Sequence, residues 1–273
     1  MKQASEKPFF VTIPHSGERV PEDCAWLQQL PEPILMCDVD RFVDQLYAPG
    51  LEKLDITSLK TEWHRYAADL NRIPSDIDCD SVLGSTNPSG SFNRGFHWVV
   101  TTHNQPLMLK PMSQLQHQKL VDLIYEPFHQ RVRQQYQMLF AQGHKKVFHL
   151  DAHSMPSLGT KMHRDPGEYR AEIVVSDCSQ KSCEPQFVDL VISAYARAGF
   201  RVAYNWPYLG GRVSENYGRP DLGQHAIQVE MNRALYMDEE TKQLLPEKAT
   251  KVQKQVEAAL RYILSSDLIQ AQK

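Results

Sequence analysis

Strands alternating with helices predict an α/β fold: a single domain over residues 1–273, with a mostly parallel or mixed central sheet and helices on both of its faces. Three observations carry this expectation. Short apolar runs recur at FFVTI, VFHL, EIVV and RVAY, each of strand length. Between them lie longer segments whose apolar residues recur every three or four positions, the period of a helix buried on one side. At 273 residues and 41% hydrophobic the chain can bury a sizeable core, and it holds neither an internal repeat nor a low-complexity tract.

The first strand is expected within FFVTIPHSG at 9–17. Behind it, 38–56 reads as a short helix whose start carries Asp38, Asp40 and Asp44, favoured at the positive end of a helix dipole, and whose end is Pro49-Gly50. ITSLKTEW at 56–63 alternates enough for a strand, and YAADLNRIPSD after it is polar and loop-like. Ser, Asn, Gly and Pro dominate 75–98, a long surface loop of the kind that often carries function. In 112–142, Leu120, Ile124, Phe128, Val132, Tyr136 and Leu139 form the stripe of an amphipathic helix that Pro127 should kink or divide. KKVFHLDAHS and EIVVSD (172–177) read as strands, FVDLVISAYARAG (187–199) as a helix stopped by Gly199, and RVAYNWP (201–207) as the next strand. YLGGRVSENYG reads as a loop. HAIQVEMNRALYMD (225–238) alternates before turning helical, and Val252, Val256, Leu260 and Ile263 mark a last helix in 246–265.

Composition narrows the function. Thirty Lys and Arg against 33 Asp and Glu leave a formal charge of −3, which supplies no field for nucleic acid and no polybasic membrane patch. No apolar run approaches the ~20 residues needed to cross a bilayer, and MKQASEKPFF has no apolar leader, so a soluble cytoplasmic protein is expected. The five cysteines are scattered without a C-x-x-C pair, which points to reduced thiols. A small-molecule substrate is the default, and no oligomeric state is read from the sequence.

VFHLDAHSM (147–155) and FFVTIPHSG each end an apolar run in His-Ser, at His153 and His15. Ligands collect beyond the carboxyl ends of strands in open α/β sheets, so the pair reads as a two-histidine metal site. A hydrolytic zinc site adds a third ligand and a separate carboxylate to move the proton. Asp38 or Asp40 is the candidate third ligand, although Asp38 reads equally as an N-cap and Asp40 as a residue favoured by the dipole. Glu18 completes an H-x-x-E pattern with His15 and is a further alternate; it also reads as an exposed turn residue. Glu230 falls on the opposite face from Ile227 and Val229 and is the candidate base, against the plain reading of a solvated strand residue. Arg72 could clamp a carboxylate bidentately or hold its own loop through Asp69. Gly210-Gly211 before Arg212 allows close approach to a ligand, or simply a turn. Serine-hydrolase, phosphate-loop and dinucleotide motifs do not occur.

Taken together, IPHSGERVP, DVDRFVDQLY, ADLNR, GFHWVVTTHNQPL, YEPFHQRV, LDAHSM, PYLGG and QVEMNRALYMDE resemble the N-formylglutamate amidohydrolase family, in order and over nearly the whole chain. The most specific pieces are LDAHSM and QVEMNRALYMDE. The family is similar in fold to zinc carboxypeptidases, which implies a mixed sheet with one divalent metal, Zn2+, at the strand ends. Carried over by position, the resemblance implies His15, His153 and Asp40, in preference to Asp38, as zinc ligands and Glu230 as general base. It implies Arg72 first, then Arg212 and Arg94, for the substrate carboxylates. The implied reaction cleaves N-formyl-L-glutamate to formate and L-glutamate, a step of histidine degradation. Two departures bear on substrate detail: SLGTKMHRDPGEYRA at 157–171, and PFH where PYH is more usual. The alternatives are a zinc amidohydrolase for another N-acyl amino acid or small peptide, and a non-catalytic metal-binding protein of the same fold.

Overall fold

The computed structural model describes residues 7–272. Residues 1–6, part of the stretch read above as lacking a leader, lie outside the described residues, as does residue 273. In chain order the elements are β1 (Phe9–Ile13), α1 (Ala25–Gln28), α2 (Glu32–Leu35), α3 (Val43–Lys53), β2 (Thr57–Lys60) and α4 (Gln114–Leu120). A π-helical turn at Val121–Tyr125 leads into α5 (Glu126–Ala141), then β3 (Val147–Met155), β4 (Ile173–Ser176), α6 (Pro185–Arg197) and β5 (Val202–Tyr204). The chain continues through α7 (Arg212–Tyr217), β6 (Gln224–Asn232), α8 (Pro246–Leu264) and α9 (Asp267–Gln270). The strands form one sheet in the order β2-β1-β3-β6-β4-β5. Every neighbouring pair is parallel except β4 with β6, so the sheet is mixed. Among the described residues no helix is long and apolar enough to cross a membrane.

Strand alternation gives the sheet two unlike faces. Val11, Ile13, Leu150, Ala152, Ile227 and Val229 point to one side and are buried with residues of α3, α6 and α8. Phe10, Val147 and Ala226 point to the other, where Phe128, Val132, Tyr136 and Leu139 of α5 cover them. Each of the Val, Leu, Ile and Phe side chains among them contributes roughly 1.5–3 kcal/mol when fully buried. The second face also receives Thr12, His149, Asp151, His153, Gln228 and Glu230 by the same period of two. A line of polar groups therefore runs through an otherwise apolar layer, ending where β1, β3 and β6 end.

Several local expectations change. The helix after the first strand starts at Val43 rather than near Asp38, behind Phe42 in a left-handed conformation (φ 70°). Pro49-Gly50 lies inside α3 instead of ending it. Pro49 leaves the carbonyl of Gln45 without its usual donor, and the Gln253 side-chain amide of α8 supplies one at 3.1 Å. Pro127 sits at the start of α5, directly after the π turn, which divides the 112–142 segment. RVSENY, read as loop, is α7, and the residues after Asn232 form only a 3-10 turn.

Candidate metal centre

His15 leaves β1 two residues beyond its last paired position, while His153 is still within β3. Backbone pairing aligns them, since Thr12 lies beside Asp151 in the β1/β3 register. The DVD segment is drawn in by the Asp40 amide donating to the His15 carbonyl at 2.9 Å. Side-chain donor atoms of His15, Asp40 and His153 consequently lie within 4.8 Å of one another, all three residues buried.

Both imidazoles are oriented alike. The Nδ1 atoms of His153 and His15 lie 2.9 and 3.7 Å from Oδ2 of Asp40. Their Nε2 atoms each meet another carboxylate at 2.8 Å, Asp151 for His153 and Asp69 for His15. Asp69 is itself fixed by Arg65 and the Trp98 indole at 2.9 Å and by the Asn71 amide at 2.8 Å. On Asp40 the other oxygen, Oδ1, accepts from Arg233 at 3.1 Å and Ser154 at 3.3 Å. Only Oδ2 is left facing the histidines. A carboxylate on the far nitrogen of an imidazole is the support that metal sites use to fix tautomer and ring angle.

Whether these residues fit a metal is answered by a buried atom. Nδ1 of His15 is inaccessible and without a hydrogen-bond partner. Such an orphan costs about 1–3 kcal/mol unless something meets it, and it lies on the Asp40 side of the ring. Burial raises the Asp40 carboxyl pKa, but the two imidazoles beside it, His153 by a hydrogen bond and His15 at 3.7 Å, and the charge of Arg65 override this and hold it well below the usual range. Burial likewise opposes protonation of His153, yet Asp151 and Asp40 on its two nitrogens hold its pKa well above the ordinary histidine value. An anion and two imidazoles that together attract positive charge are a donor set suited to a divalent cation.

Glu230 lies directly across from His153 in the β3/β6 register and accepts from the Gln228 amide at 2.8 Å. Its pKa is raised, by burial first and then by the Asp40 charge, against the opposing pull of His153. A cavity of about 600 Å³ opens over these groups, and Arg72 and Arg94 are in its wall. The Arg72 guanidinium donates to the carbonyls of Arg94 (3.1 Å) and Asn71 (2.9 Å). Arg94 is the less committed of the two: its pKa is lowered, by burial and then by Arg72, and it has no side-chain hydrogen bond or ion pair among the described residues.

The other candidates are committed to other partners, although Asp38 also lines the cavity. Arg212 pairs with Glu215 at 3.1 Å and lines a neighbouring depression with Arg72, outside the cavity over the cluster. Glu18 ion-pairs with Arg41 at 2.7 Å, and Asp38 accepts from the Tyr66 hydroxyl (2.6 Å) and Thr102. Among the described residues the group of three that could hold a metal includes neither. Sequence reasoning did not assign Asp151, Asp69, Arg65 or Arg233. Asp151 could have been found, because a strand places it on the same face as His153 two residues later. Asp69 had no comparable signal, since a loop brings it to His15.

Comparison with known proteins places the chain. A family model described as N-formylglutamate amidohydrolase matches residues 7–237. The N-formylglutamate deformylase of Pseudomonas aeruginosa is 28% identical over 238 residues, 85% of this chain and 83% of that protein. The N-formylglutamate deformylase of Pseudomonas putida is 26% identical over 237 residues, 85% and 82% of the two chains. Among solved structures, N-formylglutamate amidohydrolase from Ralstonia eutropha JMP134 superposes with a TM-score of 0.85 at 26% identity, over 98% of this chain and 96% of that one. Since the matched span runs from before β1 to beyond β6 and so takes in the histidines, Asp40 and Glu230, this chain belongs to the N-formylglutamate amidohydrolase family.

Proposed function

We propose that this protein hydrolyses N-formyl-L-glutamate to formate and L-glutamate, with one zinc ion held by His15, Asp40 and His153 and with Glu230 as general base. The observation that carries the reading is the buried, unpartnered Nδ1 of His15 facing Asp40, beside Glu230 and under a cavity walled by Arg94. The family and its deformylase relatives support the substrate. His and carboxylate ligands suit zinc among other divalent metals.

When bound, zinc supplies Lewis acidity to the formyl carbonyl and to the attacking water. Glu230 takes the proton from that water as its oxygen bonds to the formyl carbon. The raised pKa of Glu230 makes it a better proton acceptor than an exposed glutamate once ionised. The same carboxyl then returns the proton to the departing nitrogen as the C–N bond breaks, so that no proton need enter from outside. Arg94, with its donors uncommitted, and Arg72 beside it hold substrate carboxylates away from the reacting bond.

The test is formate release from N-formyl-L-glutamate, with N-formyl-L-aspartate and N-acetyl-L-glutamate alongside, before and after chelation and after zinc is restored. Zinc-restored release, fastest with N-formyl-L-glutamate, is the expected result. Faster turnover of either alternative would replace the substrate, and release indifferent to the chelator would remove the metal from the reading.

A further inference from the structure

The polar line inside the sheet continues beyond the histidine ligand. Asp151 Oδ1 receives the Thr12 hydroxyl at 2.6 Å. The Thr12 oxygen is also 2.6 Å from Nε2 of His149, and Nδ1 of His149 is 3.2 Å from the Tyr136 hydroxyl. All these residues are buried, and the His149 ring is stacked on Phe10 with centroids 4.4 Å apart. The chain of groups crosses three elements, α5, β3 and β1.

Counting protons gives this chain a direction. A threonine hydroxyl has one proton, and a carboxylate has none to give. If that proton pointed at His149, two oxygens would face each other at 2.6 Å with nothing between them. It therefore goes to Asp151, and His149 must donate from Nε2 to Thr12. Nδ1 of His149 is then the acceptor, and the Tyr136 hydroxyl donates to it. Burial pushes the His149 pKa down to about 4, so the ring is neutral and has one N–H to place. At the other end Asp151 accepts from Nε2 of His153 and leaves Nδ1 to face Asp40.

We infer that Tyr136, His149 and Thr12 form a one-way hydrogen-bond relay of positioning residues, which acts through Asp151 to present Nδ1 of His153 as the metal-binding atom. The inference rests on the zinc reading above. Thr12 gives Asp151 its second partner, without which the carboxylate is half satisfied in the core and free to turn away from His153. Tyr136 selects the His149 tautomer that leaves the Thr12 proton for Asp151.

The test measures zinc affinity by chelator competition and the ring N–H proton resonances of the zinc-loaded protein, for wild type, Thr12→Val, Thr12→Ser and Tyr136→Phe. Thr12→Val should bind zinc about 10-fold more weakly, the lower end of what losing an outer partner costs a metal site. Thr12→Ser should restore wild-type affinity. The His153 Nε2–H resonance, far downfield in wild type, should move upfield or vanish by exchange in Thr12→Val. Tyr136→Phe preserves the ring packing and should still weaken binding several-fold, which keeps the question answerable if Thr12→Val does not fold. Unchanged affinity and resonance in folded Tyr136→Phe and Thr12→Val would overturn the relay and leave the zinc site standing. Wild-type protein that binds no zinc would overturn the zinc reading and the relay with it.

Discussion

Asp40 shows how one side chain can serve two masters. Its Oδ1 is committed to Arg233 and Ser154, and its Oδ2 to the histidine side. It is held rigidly enough to act as a ligand through one oxygen. Among the described residues Glu230 forms no ion pair with an arginine, and its one side-chain hydrogen bond is to Gln228. That difference is the ground for proposing Asp40 as ligand and Glu230 as base. His153→Ala should lose zinc and turnover together, whereas Glu230→Gln should keep zinc at wild-type stoichiometry and lose about 10²–10⁴-fold in kcat. Metal analysis beside steady-state kinetics reads both, and near-normal rates in Glu230→Gln would move the base elsewhere. The two cavity arginines should also differ. Arg94→Ala removes an uncommitted guanidinium, so KM should rise about 10–100-fold, the worth of a charged hydrogen bond, with thermal stability unchanged. Arg72→Ala should raise KM and lower stability as well, because its guanidinium also holds the Asn71 and Arg94 carbonyls. A KM unaffected by Arg94→Ala would assign the carboxylates to other groups.

The exits of β1 and β2 stay paired beyond the strands, and that pairing sets where His15 lies. Arg19 donates its amide to the Glu62 carbonyl at 2.9 Å, and His64 donates to the Arg19 carbonyl at 2.8 Å. Gly17 sits in this seam, where a Cβ would fall 2.5 Å from the backbone carbon of Glu62 and 2.6 Å from the Trp63 oxygen. Backbone on both sides cannot yield as a flexible side chain would. Gly17→Ala should therefore cost about 1–3 kcal/mol, the usual price of overpacking, and weaken zinc binding because His15 moves with the seam. Urea midpoints of metal-free protein and zinc titrations check this; a midpoint within error of wild type would show that the seam opens freely. The elements readable in advance were those whose evidence is local: buried strands as apolar runs, α8 as a stripe of Val252, Val256, Leu260 and Ile263. Misread elements depended on distant groups. Pro49-Gly50 stays helical because Gln253 satisfies Gln45 and because Gly50 lets α8 approach, with Glu257 Cα only 3.1 Å from where a Cβ would be. For the site, a histidine at each strand end could be read directly, and so could Glu230 from alternation. Spacing alone leaves Asp38 and Asp40 open; the preference for Asp40 comes from the family resemblance, and the turn at Phe42 with the Tyr66 and Thr102 partners of Asp38 supports it.

Across the molecule, four neutral histidines are hydrogen-bonded in or beneath the layer over one face of the sheet, three between loops and helices and one, His149, within the strands. His64 meets the Leu35 carbonyl, His97 the Ala67 carbonyl, His129 the Leu70 carbonyl and the Tyr217 hydroxyl, and His149 the Thr12 hydroxyl. Burial lowers His64, His129 and His149 to about 4 and His97 to about 3. In the unfolded chain each titrates near 6.5. Between these values the unfolded state binds more protons, so the stability they allow is complete above about pH 6.5 and falls as the pH falls. From pH 6.5 to 5 the loss is on the order of 1–2 kcal/mol for each histidine, and several kcal/mol together. That is comparable with the whole stability of a typical domain, about 5–15 kcal/mol. His153, raised rather than lowered, is protonated in the folded state throughout this window while the unfolded chain takes up its proton as the pH falls from 6.5, so it opposes the trend slightly. Glu230, also raised, opposes the trend as it protonates, but these are two groups against four. Metal-free protein should therefore show a much lower urea midpoint at pH 5 than at pH 6.5, and using it removes the separate effect of acid-driven metal release. Equal midpoints would mean that these histidines accept protons in place, and that the layer over the sheet opens locally long before the sheet itself is lost.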